Sequence, residues 1–148
     1  MSPSSGSKRS SPRTLPGRNA TVASLVDTLT VDCADPRRVA EFWCGVLGYE
    51  ISDADEESVE IRDPAGKGWP LLFQVVPEGK AVKNRLHLDL SPPSTMRDEV
   101  ERVSALGATT LRLVEEDGSF WTVMLDPEGN EFCVLRGPQD DPPRERST

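Results

Sequence analysis

From Leu25 the chain alternates. In LVDTLTVDC, Leu29, Val31 and Cys33 fall on one side and Thr28, Thr30 and Asp32 on the other, the period-two pattern of a half-buried strand. The period then changes. In DPRRVAEFWCGVLG, Val39, Phe42, Trp43, Val46 and Leu47 make one apolar stripe at helical spacing. Asp35 suits the N-cap, Pro36 the first helical position and Gly48 a left-handed stop. Residues 49–52, 58–62 and 70–76 read as strands, with DPAG at 63–66 as a turn.

The same order then recurs. RLHLDLS alternates, with Leu86, Leu88 and Leu90 on one face and His87, Asp89 and Ser91 on the other. PPSTMRDEVERVSALG predicts a helix capped by Ser94 or Thr95, striped by Met96, Val100, Val103 and Leu106, and ended by Gly107. Strands follow at 109–114, 120–125 and 132–136, with DPEG at 126–129 as a turn. A single offset of 59 carries Thr28 onto His87, Gly48 onto Gly107 and Gln74 onto Cys133, whereas the two turns are offset by 63. The repeat predicts one α+β domain of two tandem βαβββ modules, about residues 22–80 and 84–137. They are expected to form an open curved mixed sheet around a cleft, with one helix per module packed outside.

Composition sharpens the ends. Residues 1–21 are Ser-, Pro- and Arg-rich and read as a disordered tail without the apolar core of a secretory signal; residues 138–148 read as a polar C-terminal tail. No run of ~18 apolar residues is present, so no membrane helix is expected. The net charge is −8, and four of the 17 basic residues (Lys8, Arg9, Arg13, Arg18) lie in the acid-free N-terminal tail. The domain itself is therefore strongly acidic and repels phosphate backbones, which excludes nucleic acid as its partner. Cys33, Cys44 and Cys133 are odd in number and lack CxxC spacing, which suits reduced thiols in a cytoplasm.

Candidate chemistry follows from the polar strand faces. If the two sheets curve toward each other, the repeat-equivalent positions Thr28, Gln74, His87 and Cys133 line the cleft, with Asp89 beside His87. His87 is the only histidine, so a two-histidine relay is excluded. It reads as a pocket residue offering a hydrogen-bond donor and acceptor. Cys133 reads as a small buried hydrophobe, since a nucleophilic thiol needs a nearby cation or helix start. Trp121 is expected in the pocket wall, with Trp69, Phe73 and Tyr49 as further candidates, while Phe42 and Trp43 belong to the core. DPEG reads as a turn whose Asp126 caps its own backbone.

The helix ending FWCGVLGYE, the strand LHLDL, the helix ending ALGAT and the stretch LDPEGNEFCVL, in that order, resemble the vicinal oxygen chelate superfamily. This is the fold of glyoxalases, extradiol dioxygenases and bleomycin- and fosfomycin-resistance proteins. The resemblance covers about residues 22–137 and is nearest to small bacterial glyoxalase-like domain proteins. It implies paired βαβββ modules around a cleft, and frequent homodimers. Metal-dependent members place a His near the start of each module's first strand and a Glu or Gln in its last. Those positions are Thr28, Gln74, His87 and Cys133, and only His87 and Gln74 are usual ligands. No metal or other cofactor is therefore expected. Should a divalent zinc, nickel, iron or manganese ion bind, His87 and Gln74 with Glu131 or Cys133 would hold it. The expected function is recognition of a small organic molecule in the cleft, in a sequestration or resistance-like role. The alternatives are a metal-dependent lyase, isomerase or dioxygenase, and a dimeric interaction module without a ligand.

Overall fold

The computed structural model describes residues 23–140. The expected tail at 1–21 lies outside the described residues, as do residues 141–148. The first module runs β1 (Leu29–Cys33), α1 (Pro36–Leu47), β2 (Glu50–Ala54), β3 (Ser58–Arg62) and β4 (Leu71–Val75). The second runs β5 (Asp89–Leu90), α2 (Met96–Leu106), β6 (Thr109–Glu116), β7 (Ser119–Leu125) and β8 (Glu131–Leu135). The strands form two open four-stranded sheets, ordered β1-β4-β3-β2 and β5-β8-β7-β6. In each, the first strand of the module lies parallel to the last and the other pairings are antiparallel. The tandem βαβββ architecture is thus the one the repeat predicts.

The helix ends follow the predicted chemistry. The Asp35 side chain accepts from Arg38 N at 3.2 Å, and Gly48 closes α1 at φ 72°. In α2 the cap is Thr95 and not Ser94, its hydroxyl accepting from Asp98 N at 3.1 Å. The segment after β8 is also held, because the Asp140 carboxylate accepts from Met96 N at 2.7 Å and Gly137 N at 2.8 Å. No helix among the described residues is long and apolar enough to cross a membrane.

One core joins the modules. The stripe of α1 packs on β3 and β4, and the same helix leans on α2. The rings of Phe42 and Trp43 lie 6.1 and 5.0 Å from that of Phe132 in β8. Phe73, Ile61, Val103, Met124 and Val134 complete the same buried cluster. Arg102 of α2 grips Glu99 at 2.7 and 2.9 Å and donates to Gly45 O and Val46 O at 2.8 Å. Those carbonyls belong to the end of α1, where helix carbonyls begin to lack partners of their own and the dipole favours a cation. Leu106 lies over Gly45, so closely that a Cβ there would meet its Cδ1 at 3.0 Å. Because the helix-bearing faces of both sheets supply this core, the polar faces look away from it.

Three local expectations are corrected. The alternation from Leu25 enters the ladder only at Leu29, and β5 shrinks to Asp89–Leu90. Leu86, expected on the buried face, is 85% exposed. The cause is Asn84, which pairs with β8 upstream of the ladder. Its backbone N–H and side-chain amide donate to the Glu131 carboxylate and carbonyl, and Glu131 N donates back to Asn84 Oδ1 at 2.9 Å. Phe73, a candidate for the pocket wall, is fully buried instead, because its register position on β4 faces α1.

Candidate functional site

The second sheet gathers the chemistry. Parallel register sets Asp89 on β5 opposite Cys133 on β8, and antiparallel register sets Val123 of β7 on the other side of Cys133. Cys133 is absent from the shared core, so its side chain lies on the polar face, away from neighbouring Phe132 and Val134. His87 stands two residues before Asp89, and its Nδ1 lies 3.0 Å from Asp89 Oδ1. The His87 nitrogen, the Asp89 carboxylate oxygen and the Cys133 sulfur all fall within 4.8 Å of one another. Trp121, two residues from Val123 along β7, shares this face and is half-buried.

The electrostatics favour a thiol over a thiolate. Burial, then the Asp89 charge and a hydrogen bond to Asp89, push the Cys133 thiol up; Lys83 and Arg112 pull the other way and are outweighed. A protonated, buried thiol is a poor nucleophile. Cys33 is more extreme, pushed up to about 12 by burial and then by Glu128. Its thiol donates to Gln74 O at 3.5 Å.

The other expected residues lie elsewhere. Gln74 sits on β4 of the first sheet opposite Asp32, and its amide donates to Asp32 Oδ1 at 3.4 Å. Thr28, just before β1, donates to Asp27 Oδ2 at 2.9 Å. No hydrogen bond among the described residues links either of them to His87. Glu131 shares the strand parity of Cys133, but its carboxylate pairs with Lys80 Nζ at 3.1 Å and accepts from Asn84 N at 2.9 Å. Burial opposes its charge, yet the bonds from Asn84 and Lys80 outweigh it and hold the carboxyl below the usual range. Glu131 is thus committed to fastening the loop before β5.

These placements decide the fit of the metal that the resemblance implies. Of the family's four positions, Thr28 and Gln74 belong to the first module and bond to Asp27 and Asp32, while His87 and Cys133 belong to the second, so no chemistry is derived through a metal held by all four. What converges is a different donor set, His87, Asp89 and Cys133, drawn from the second module alone.

Sequence parity found the members of this set. It missed the charges of Lys83 and Arg112, although Arg112 stands opposite Val123 on β6 and its strand position was readable. It also missed the reach of the DPEG turn. Glu128 accepts from Ala34 N and Asp35 N at 2.9 Å each, and Asp126 accepts from Trp43 Nε1 at 3.1 Å. All three bonds join the second module to the first.

The fold recurs among solved structures. A glyoxalase/bleomycin resistance protein/dioxygenase family enzyme from Burkholderia phytofirmans is 20% identical at a TM-score of 0.59, covering 73% of this chain and 94% of that one. The fosfomycin resistance protein FosX from Listeria monocytogenes, solved with Mn(II) and 1S,2S-dihydroxypropylphosphonic acid, is 12% identical at a TM-score of 0.63, covering 80% and 94%. A lactoylglutathione lyase from Agrobacterium tumefaciens is 17% identical at a TM-score of 0.55, covering 79% and 96%. At these identities the likeness is one of fold. No curated protein sequence matches. The glyoxalase-like domain pattern, however, matches residues 28–135, which span both modules and the whole polar cluster. The chain therefore belongs to the glyoxalase-like domain family of the vicinal oxygen chelate superfamily.

Proposed function

We propose that this protein binds a small organic molecule on the polar face of its second module, over His87, Asp89, Cys133 and Trp121, without an essential metal. The observation that carries the reading is the His87–Asp89 pair, partly exposed at 38% and 49% and set above a buried thiol beside a half-buried tryptophan. A few converging polar groups against aromatic and apolar wall are what a small-molecule site requires. The substitution of Thr28 and Cys133 for the family's metal-binding types supports metal independence. So does the bond between Gln74 and Asp32. A sequestering or resistance-like role accords with the fosfomycin resistance protein among the structural neighbours. The free thiols of Cys33, Cys44 and Cys133 suit a reducing compartment such as the cytoplasm.

The polar faces of the two sheets both look away from the shared core. A cleft with two walls then calls for a second copy, whose first module would bring Thr28 and Gln74 against His87. We therefore propose a homodimer, checked by sedimentation velocity; a monomer at tens of micromolar would remove this second wall.

The alternative, a metal-dependent lyase, isomerase or dioxygenase, is favoured by one observation, the approach of His87, Asp89 and Cys133 within 4.8 Å. An imidazole, a carboxylate and a thiol are donors that zinc accepts. Metal analysis of tag-free protein decides between the two. The expected result is far less than one metal per chain. Stoichiometric zinc, nickel, iron or manganese that disappears in His87→Ala would establish the alternative. Thermal-shift screening against metabolites and antibiotics then tests binding, with stabilisation expected for wild type and lost in His87→Ala.

A further inference from the structure

His87 is the only histidine of the chain, and its ring is held from one side. Nδ1 faces Asp89 Oδ1 at 3.0 Å, and the ring makes no other hydrogen bond among the described residues. An ionised carboxylate accepts hydrogen bonds and cannot donate them. In the neutral ring the proton therefore belongs on Nδ1, which leaves Nε2 with a lone pair and no proton. Asp89 is itself fixed, because it lies in the parallel rung opposite Cys133, with its carboxylate oxygen within 4.8 Å of the Cys133 sulfur. It is a positioning residue for the imidazole.

We propose that Asp89 locks the neutral His87 ring with its proton on Nδ1, and that the bare Nε2 selects a hydrogen-bond donor on the ligand. The site would then take hydroxyl- or amine-bearing organic molecules ahead of carboxylates and phosphonates. An anionic oxygen offers Nε2 only another lone pair, and the Asp89 charge lies directly behind the ring. Lys83 and Arg112 bear on the same region through Cys133 and pull toward an anion, so the preference is a contest that can be measured. The inference rests on the reading that the ligand lies over His87, but its first arm does not depend on any ligand.

Nitrogen-15 NMR of the single histidine reads the tautomer directly. Spectra are recorded on protein dialysed against EDTA, at alkaline pH. Wild type is expected to show Nδ1 protonated as the major form. Asp89→Ala should reverse the ratio, because a free imidazole favours the proton on Nε2. Asp89→Asn, which keeps the shape and can donate to Nδ1, should reverse it too. Loss of a merely structural contact would leave the ratio unmoved. An Nε2-protonated ring in wild type, or an unchanged ratio in both variants, would overturn the lock. In the second arm, propane-1,2-diol and ethanolamine are titrated against methylphosphonate. The first two are expected to shift the Nε2 resonance several-fold more in wild type than in Asp89→Asn. A larger response to methylphosphonate would overturn the donor preference. Silence toward all three, with the tautomer intact, would overturn the ligand class and count against the binding surface, while leaving the lock standing.

Discussion

Asp63 and Asp126 each open an Asp-Pro-x-Gly turn, and in each turn the glycine adopts a left-handed backbone, at φ 72° for Gly66 and 82° for Gly129. In each the glycine N–H also donates to the aspartate carbonyl at 2.9 Å. Beyond that they diverge. Asp63 spends its carboxylate on its own loop, accepting from Ala65, Gly68 and Lys67 N–H groups at 2.9, 2.9 and 3.1 Å. Asp126 uses one oxygen in the same way, on Glu128 N and Asn130 N at 2.9 Å, and turns the other to the indole of Trp43. The third position completes the difference. Ala65 reaches nothing, whereas Glu128 caps two backbone N–H groups at the start of α1. One sequence motif thus serves as a local turn in the first module and as the fastening between modules in the second. The comparison teaches that a turn signature fixes its own backbone and says little about what the outward-facing atoms will hold.

The largest effect should come from Asp126→Ala. It strands the Trp43 indole N–H and the turn amides in a site only 5% exposed, and we predict a loss of about 2–4 kcal/mol by denaturant unfolding. For a domain of this size that is roughly a ten-degree fall in Tm. Asp63→Ala should shift the midpoint by less than half as much; equal losses would erase the contrast between the turns. Next is Glu128→Ala, expected to remove about 1 kcal/mol, on the order of the net worth of one hydrogen bond to a charged group. The reciprocal Ala65→Glu should leave the midpoint unchanged, and a clear stabilisation there would show that the first turn also faces a partner. The smallest effect is on acid stability. Hydrogen bonds from the Ala65 and Gly68 amides hold the Asp63 carboxyl below its ordinary 3.8, against a partial desolvation. A depressed folded-state value stabilises above the unfolded value and fades as pH falls through the folded one. Asp63→Asn should therefore flatten the fall in midpoint below about pH 4, and a slope identical to wild type would contradict the bonding described for this turn.

The repeat was legible because its markers are local. A switch from period two to helical spacing, Asp35 and Thr95 at helix starts, and Gly48 and Gly107 at helix ends each depend on a few neighbouring residues. The polar cluster was half legible. Parity put His87, Asp89 and Cys133 on one face, but the grip of Asp89 on His87 depends on a rung to β8 more than forty residues away. Glu131 shared that parity and was drawn off by Lys80 and Asn84, which no spacing announces. Gln74 and Thr28 were assigned to the same cleft on the assumption that the two sheets curve together. Both stand on or beside the first sheet, and how that sheet is set against the second depends on contacts such as that of α1 with Phe132, which strand alternation cannot encode.

That contact also bears on the order in which the molecule can be made. Residues 34–43 are synthesised long before residues 126–132, so the nascent first module has neither Glu128 to meet the amides of Ala34 and Asp35 nor Asp126 to meet the indole of Trp43. Its aromatic pair, Phe42 and Trp43, likewise waits for Phe132. Domains tend to fold as units from the N-terminus, but here the halves of a duplicated sequence are not equal in independence. The earlier half leaves the ribosome with its helix start and one aromatic edge unfinished, and the last hairpin to emerge is the one that completes it.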